Sequence, residues 1–541
     1  MTYDTVIKDT IIIDGTGNPR FKGTIGIESG KIATIQVSKG KKDEISGERI
    51  VDCKGRLISA PGFIDMHSHS DLAMFFHKNS EFYKTAALCK ISQGITTEIV
   101  GQDGFSAAPI KEKLKSGYIL HWSALSGQLP NYKWKWNSIE EYINAVKKRK
   151  FPTKVETLLG HSTLRINVMG YANREPTSSE LDEMKYILST SIEDNEKQVA
   201  KGLSLGLIYP PGMYANKHEL IELAKVVKAV NGVLVAHIRN ESQKIFDALD
   251  EYIGIHNATN VRTHISHLKI CGDKNIDRGD DLKKLIQDHQ FTFDMYPYNA
   301  GSTTLTAILP PWAHEGGSDK LLDRLKNKKS CLEMASEVFS EDEHDWDNFI
   351  GFSKGGLKGI VIANSPKSHE HIIGKSLAEL GEEKGFDLSK KEGKTLTFLH
   401  ICDLLNETNL TLSMISFNQS KRNVRKFMKM DSIMTIGTDG IIGKSPHPRL
   451  FGAHTKYIQK TLREKSSGPS LEQAIHNITG HAAQIMQLND RGVLKEGKAA
   501  DITIFNPNTI TDKSTWTKPK IHSNGILYVF VDGVRKFTGK Q

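Results

Sequence analysis

Two histidines one residue apart, His67 and His69, close the segment PGFIDMHSHSD. They follow Gly62-Phe63-Ile64-Asp65, a short apolar run that reads as a buried strand entered through Pro61. Alternate side chains of a strand share a face. Both imidazoles are therefore expected to point the same way, as neighbouring ligands of one divalent metal do. Alone, H-x-H is a weak motif that two unrelated surface histidines would also produce. Three further strand-like runs end in residues of matching chemistry. Val233 to His237 ends on His237, Thr263 to His267 on His267, and Met434 to Thr438 leads into Asp439. Four imidazoles and one carboxylate supply nitrogen ligands for Zn²⁺ or a similar metal, with a base beside it. His264, three residues before His267, faces the other way on a strand and is read as structural, as is His161. Asp65 and Asp71 flank the H-x-H and are expected to orient its imidazoles or cap a turn.

Such a set must be carried on a repeating scaffold. From about residue 61 to 480, strand-like runs alternate with helix-like ones, which predicts an α/β fold: a (β/α)8 TIM-like barrel with insertions, its chemistry at the C-terminal strand ends. Trp312 to Asp347 and Ser353 to Gly393 break the rhythm and mark insertions or lid elements within about 312–393. Residues 1–60 alternate short β-rich runs, Thr5 to Ile7 and Thr10 to Ile13 among them, with glycine turns. Residues 481–541 return to β character, so both termini are expected to build one small β-sandwich beside the barrel.

At 541 residues the chain has room for a large core and an accessory domain. Its 38% apolar and 25% charged residues are ordinary for a globular protein. No apolar run reaches the roughly 18 residues that span a bilayer, and the N-terminus lacks the layout of a signal peptide. Five cysteines, odd in number and without C-x-x-C spacing, fit a reducing compartment, so a cytoplasmic, membrane-free location is expected. The net charge of +9 is spread through lysine-rich stretches without clustered aromatics, which argues against a nucleic-acid partner and for a small-molecule one.

The order H-x-H, His, His, Asp resembles the amidohydrolase superfamily. GQDGFSAAP, GHSTLRINVMG, GLIYPPGMYA, AHIRNES, ISHLK, YPYNAGST, IGTDG and HPRLFG narrow the resemblance to the N-acyl-D-amino-acid deacylases (D-aminoacylases) over nearly the whole chain. Generic dihydroorotases and hydantoinases differ at these motifs and use a carboxylated lysine as bridging ligand. The resemblance implies one or two Zn²⁺ per subunit, first-strand ligands His67 and His69, fifth- and sixth-strand ligands His237 and His267, and Asp439 as the catalytic aspartate and a further metal ligand. Where many members place a cysteine in G-N-C-G, this chain has Asp103 in Gly101-Gln102-Asp103-Gly104; Glu98 is the alternative carboxylate. Tyr209, Tyr296 and Arg449 match positions that hold the substrate carboxylate. Lys269, on the strand face of His267, and Ser302 are expected to add contacts. The implied reaction is hydrolysis of N-acyl-D-amino acids. A dipeptidase or other amidase on the same barrel, and a non-catalytic scaffold, remain the alternatives; the oligomeric state is not legible.

Overall fold

The two ends of the chain meet in one eight-stranded sheet. The computed structural model describes residues 2–38, 45–115, 118, 122, 134–194, 197–464 and 468–540. Thr2–Ile12, Phe21–Glu28 and Lys31–Val37 pair antiparallel in succession, and Ser46–Asp52 and Ile58–Pro61 lie parallel to the first strand. Ile502–Phe505, Ile526–Val531 and Val534–Thr538 extend the sheet from the C-terminal end. Ile7, Ile25, Ile32, Ile502 and Phe530 pack into its apolar core. The runs at Thr5 to Ile7 and Thr10 to Ile13 belong to a single strand rather than two. Its register shifts between Ile7 and Thr10, where Asp9 takes φ 49°, and this bulge keeps both halves paired to the same neighbour.

Parallel strands carry the middle of the chain. They are β1 (Phe63–Asp65), β2 (Ile95–Val100), β3 (Lys154–Thr157, resumed at Leu159–Gly160), β4 (Gly202–Gly206), β5 (Val233–His237), β6 (Arg262–Ile265), β7 (Thr292–Met295) and β8 (Met434–Ile436). β1, β2 and Lys154–Thr157 form one sheet; Leu159–Gly160 and β4 to β8 form a second. Backbone hydrogen bonds join the two sheets on both sides, from Leu158 N to the Val100 carbonyl at 2.9 Å and from Met66 N to the Ile436 carbonyl at 3.2 Å. Strands β2, β4 and β5 are buried along their whole length, as parallel strands covered on both faces are. Helices Lys217–Ala229, Ile245–Thr259 and Gly279–Asp288 follow β4, β5 and β6 and bury Leu220, Leu223, Leu249, Ile253 and Ile286.

Pro61 does not enter β1; it ends the terminal sheet, and the chain crosses to β1 at Gly62. Gly62 N donates to the Asp501 carbonyl at 2.8 Å. A Cβ there would lie 2.1 Å from Thr96 Oγ1, so glycine lets the first strand approach β2.

Between β7 and β8 the chain builds a three-stranded antiparallel sheet with Ser413–Ser416 between Gly301–Thr304 and Ile360–Asn364. Helices Ser318–Lys326, Lys328–Val338 and Lys391–Glu407 pack with it around Leu305, Met334, Ile362, Phe398 and Met414. Among the described residues no helix is long and apolar enough to cross a membrane. All five cysteines are buried and free.

Candidate metal centre

His67 and His69 follow β1, Asp103 follows β2, His237 ends β5, His267 lies two residues past β6 and Asp439 three past β8. Three of these six have left-handed backbone: Asp103 at φ 53°, His267 at φ 33° and Asp439 at φ 47°. Left-handed geometry is unfavourable for residues with a Cβ and is maintained where the surroundings dictate it. Here it turns each side chain off the strand end toward one common point. Gly437 makes room for this convergence, since a Cβ there would lie 2.4 Å from His67 Cβ.

The point of convergence is the Asp103 carboxylate. Its Oδ2 lies 3.5 Å from both His67 Nε2 and His69 Nε2. Its Oδ1 lies 3.5 Å from His237 Nδ1 and 3.3 Å from His267 Nε2. Asp439 Oδ1 stands 3.2 Å from His69 Nε2 and 3.9 Å from His67 Nε2. The ligand atoms fall into two groups that share Asp103: His67, His69, Asp103 and Asp439, and Asp103, His237 and His267, each within 4.8 Å. All six residues are buried. Both ring nitrogens of His67 and of His237, and Asp103 Oδ1, have no hydrogen-bond partner. Buried polar atoms are almost always partnered. A cluster of unpartnered imidazoles around a carboxylate fits a divalent ion, with nitrogen and oxygen donors suited to zinc.

Charges around the cluster fix its protonation. Burial pushes the Asp103 carboxyl up, but His67 and His267 outweigh this and hold it well below the usual carboxylate range. Burial also raises Asp439; the Arg449 guanidinium, 2.7 Å from Oδ2, and the imidazoles bring it far below that range. Both are carboxylates at neutral pH.

A second layer orients the imidazoles, and sequence reading missed most of it. Glu241 Oε1 lies 3.1 Å from His267 Nδ1 and 2.6 Å from Lys269 Nζ. Lys269 Nζ also lies 2.8 Å from His267 Nδ1, so that nitrogen is held between an acid and a cation while Nε2 faces the cluster. Burial raises the Glu241 carboxyl, and Lys269 and the two imidazoles return it to about 2. Asp294, in the middle of β7, accepts from His267 N at 3.1 Å, contacts His264 Nε2 at 3.1 Å and lies 3.8 Å from His67 Nδ1. His264 thus acts from outside, through Asp294. Asp65 accepts from Thr438 N and Oγ1, both at 2.7 Å, tying β1 to the turn that presents Asp439.

Lys90, fully buried, donates to Asp65 at 2.5 Å and to Ser68 Oγ at 3.1 Å. Lys90→Met would strand the Asp65 charge in the interior. The expected loss is about 3–5 kcal/mol, the usual result of breaking a buried pair by removing one partner. Urea unfolding measures it, and an unchanged midpoint would contradict the role given to Lys90.

The remaining candidates sort by position. Glu98 faces away from the cluster, accepting from Ser68 Oγ at 2.7 Å and Thr153 Oγ1 at 2.5 Å. Asp71 accepts from Gly101 N at 2.9 Å, bracing the turn before Asp103. His161 is buried against Glu219 Oε1 at 2.7 Å, remote from the imidazole cluster's contacts. Tyr209, Lys269, Tyr296 and Ser302 line a cavity of about 40 Å³ together with His69, Asp103, His237, His267 and Asp439. The Tyr209 ring packs edge-on against His237, and its hydroxyl lies 2.9 Å from Thr303 Oγ1. Arg449 is fully buried behind that cavity; it pairs with Asp439, donates to the Ser302 carbonyl at 2.9 Å and lies over the Tyr296 ring.

The chain resembles known proteins along nearly its whole length. A model of the amidohydrolase family matches residues 49–310 and 410–536. The chain belongs to the amidohydrolase family. The unmatched stretch between the two blocks lies within the insertion between β7 and β8 and holds its helices and the strand Ile360–Asn364. Among amidohydrolases, the N-acyl-D-glutamate deacylase of Alcaligenes xylosoxydans xylosoxydans is 30% identical over 99% of this chain and 93% of its own length. The D-aminoacylase of the same organism is 27% identical over 100% of this chain and 96% of its own. The crystal structure of N-acyl-D-glutamate deacylase from Bordetella bronchiseptica, complexed with zinc and a phosphonate that mimics the tetrahedral intermediate, has a TM-score of 0.78 at 29% identity, covering 99% of this chain and 97% of that one. A D-aminoacylase structure described with a binuclear metal centre has a TM-score of 0.76 at 25% identity, covering 98% and 96%.

Proposed function

We propose that this amidohydrolase is a metal-dependent deacylase that hydrolyses N-acyl-D-amino acids to a carboxylate and a free D-amino acid. The observation that carries the reading is the Asp103 carboxylate set between two imidazole pairs, with Asp439 Oδ1 beside one of them. The similarity to deacylases over the full chain supports the substrate class. We further propose that β1 to β8 close as a (β/α)8 barrel, which the hydrogen bonds at both sheet seams support. The eight-stranded terminal sheet then serves as the small β domain, composed of residues 1–60 and 481–541.

His67, His69, Asp103, His237 and His267 would hold one or two Zn²⁺. A divalent ion there supplies Lewis acidity, polarising the scissile carbonyl and making water acidic enough to attack near neutral pH. Asp439 moves the proton. Its Oδ2 is engaged by Arg449 and its Oδ1 faces the imidazoles, so Oδ1 takes the proton from the attacking water and delivers it to the leaving nitrogen. Arg449 positions this carboxylate and keeps it ionised between turnovers. Tyr209, Tyr296 and Ser302 line the cavity and offer hydroxyl groups to the substrate carboxylate and the developing oxyanion, while Lys269, held by Glu241 and His267, adds positive charge beside them. Anchoring at the metal, the carboxylate and the side chain admits a single enantiomer.

The test is a panel of N-acetyl-D- and N-acetyl-L-amino acids with the zinc-loaded protein. Turnover confined to the D series is the expected result. Equal rates on both enantiomers, or turnover of dipeptides alone, would assign a different amidase. No turnover, with no zinc taken up, would assign a non-catalytic scaffold.

A further inference from the structure

Apart from the metal centre, a cavity of about 320 Å³ lies between the turn just past β7, the helix Lys421–Phe427, the helix Arg449–Arg463 and the loop 514–516. None of its lining residues lines the cavity at the carboxylates. Lys421, Arg425, Lys456 and Lys460 all face it, and among the described residues no carboxylate lines it. Two acids reach these cations from outside. Asp512 pairs with Lys456 at 3.2 Å, and Glu464 lies 3.1 Å from Lys460 and 4.0 Å from Arg425. Lys421 is exposed and has no ion pair among the described residues. Four cations against two acids leave an excess of positive charge, and an anion bound among them relieves their mutual repulsion.

Trp516 forms an aromatic wall of the same cavity. Its ring packs against those of Phe417 and His447, both at 4.9 Å between centroids, and of Tyr298 at 6.3 Å. These contacts fix the indole, yet 37% of the residue stays exposed. Among the described residues its N–H meets no acceptor. A fixed indole beside clustered cations is the arrangement that stacks a planar ring while holding its anionic group. A phosphate monoester carries about two negative charges near neutral pH, which matches the two cations left without an acid; a carboxylate matches only one. The volume, at the small end of ligand sites, suits a ring with one such group. We infer that this cavity is a second ligand site and that it takes a small aromatic phosphate, an aryl phosphate or a nucleoside monophosphate. No metal ligand or substrate contact takes part, so the inference stands apart from the deacylase reading.

The experiment titrates the zinc-loaded protein by calorimetry with adenosine monophosphate, phenyl phosphate, adenosine and inorganic phosphate. One aromatic phosphate per chain is the expected result, with adenosine and inorganic phosphate each at least about tenfold weaker because each lacks one of the two contacts. Trp516→Ala removes the stacking ring and is expected to weaken adenosine monophosphate at least about fivefold. Lys421→Glu is expected to weaken it at least about tenfold. Adenosine monophosphate binding more tightly than phenyl phosphate would name a nucleotide as the ligand, and equal or weaker binding an aryl phosphate; both support the site. No saturable binding of either aromatic phosphate would overturn the inference, as would inorganic phosphate binding as tightly as they do. Affinity unchanged in Lys421→Glu would also overturn it, by placing the anion at the metal centre instead. Lys421 is exposed and unpaired, so that variant decides even if Trp516→Ala does not fold.

Discussion

Asp439→Asn is expected to reduce kcat by about 10²–10⁴-fold, the range supplied by a positioned acid–base group, while the protein keeps its metal. Asparagine matches aspartate in shape and tolerates the left-handed backbone at φ 47°. Its amide cannot take a proton from water at neutral pH. Four imidazoles and Asp103 remain, so metal content measured on the purified variant is expected to match wild type. One side effect needs its own readout. Arg449, fully buried, loses the charge of its partner 2.7 Å away. Such a loss reaches about 3–5 kcal/mol when one member of a buried pair is removed. Urea unfolding run beside the kinetics separates a weakened fold from a missing base. A variant with near-wild-type kcat would show that another group moves the proton.

Asp103→Asn is expected to be at least as damaging, by a different route. Asp103 is the member common to both ligand groups, with one oxygen toward each imidazole pair. The amide keeps one acceptor oxygen and replaces the other with a donor, and the negative charge that offsets the metal is gone. The metal's contribution is several kcal/mol of charge stabilisation, which corresponds to at least about a thousandfold in kcat/KM. Metal content is expected to fall below that of wild type. Asp103→Cys makes the complementary check, because the resemblance to the D-aminoacylases implies that many members carry cysteine at that place. A thiolate is softer than a carboxylate, so the variant is expected to retain zinc and to discriminate more strongly against harder ions. Wild-type metal content and activity in Asp103→Asn would show that the Asp103 charge is not needed to hold the metal.

Much of the centre was legible because it obeys a repeat. Each ligand follows a β run of similar length, and the alternation of β and α patterns places all of them at one end of the parallel strands. The H-x-H gained its meaning from His237, His267 and Asp439 in this way. Strand-face logic was less reliable past the strand ends. The pattern extended two strands to His267 and Thr438, but β6 stops at Ile265 and β8 at Ile436. The left-handed turns at His267 and Asp439 then abolish the alternation. Lys269 lies beside Glu241 and His267 Nδ1, at the wall of the same cavity.

The charged residues behind the ligands left no local signal. Lys90 meets Asp65 from 25 positions away and Thr438 from 348 positions away. Asp294 sits inside an apolar strand where a single acid is easily read as an exposed position. Glu241, four residues after His237 in AHIRNES, had a usable sign: an acid just past a ligand-bearing strand is a natural partner for an imidazole N–H. Arg449 was read as a substrate contact from its motif, yet its complete burial against Asp439 is a tertiary fact that spacing does not encode. The insertion announced itself as a break in rhythm near residue 312, whereas its three strands are drawn together from 301–304, 360–364 and 413–416 by pairing across long loops.

We propose that His67, His69, Asp103, His237 and His267 hold a metal whose chemistry, with Asp439, cleaves an N-acyl-D-amino acid. The most direct measurement follows hydrolysis of one D/L pair of N-acyl amino acids by chelator-stripped protein as Zn²⁺ is added back. Expected are no turnover in the stripped protein, recovery that rises with zinc and saturates at one or two equivalents per chain, and no product from the L enantiomer at any point. Full activity in the stripped protein, or equal recovery on both enantiomers, would contradict it.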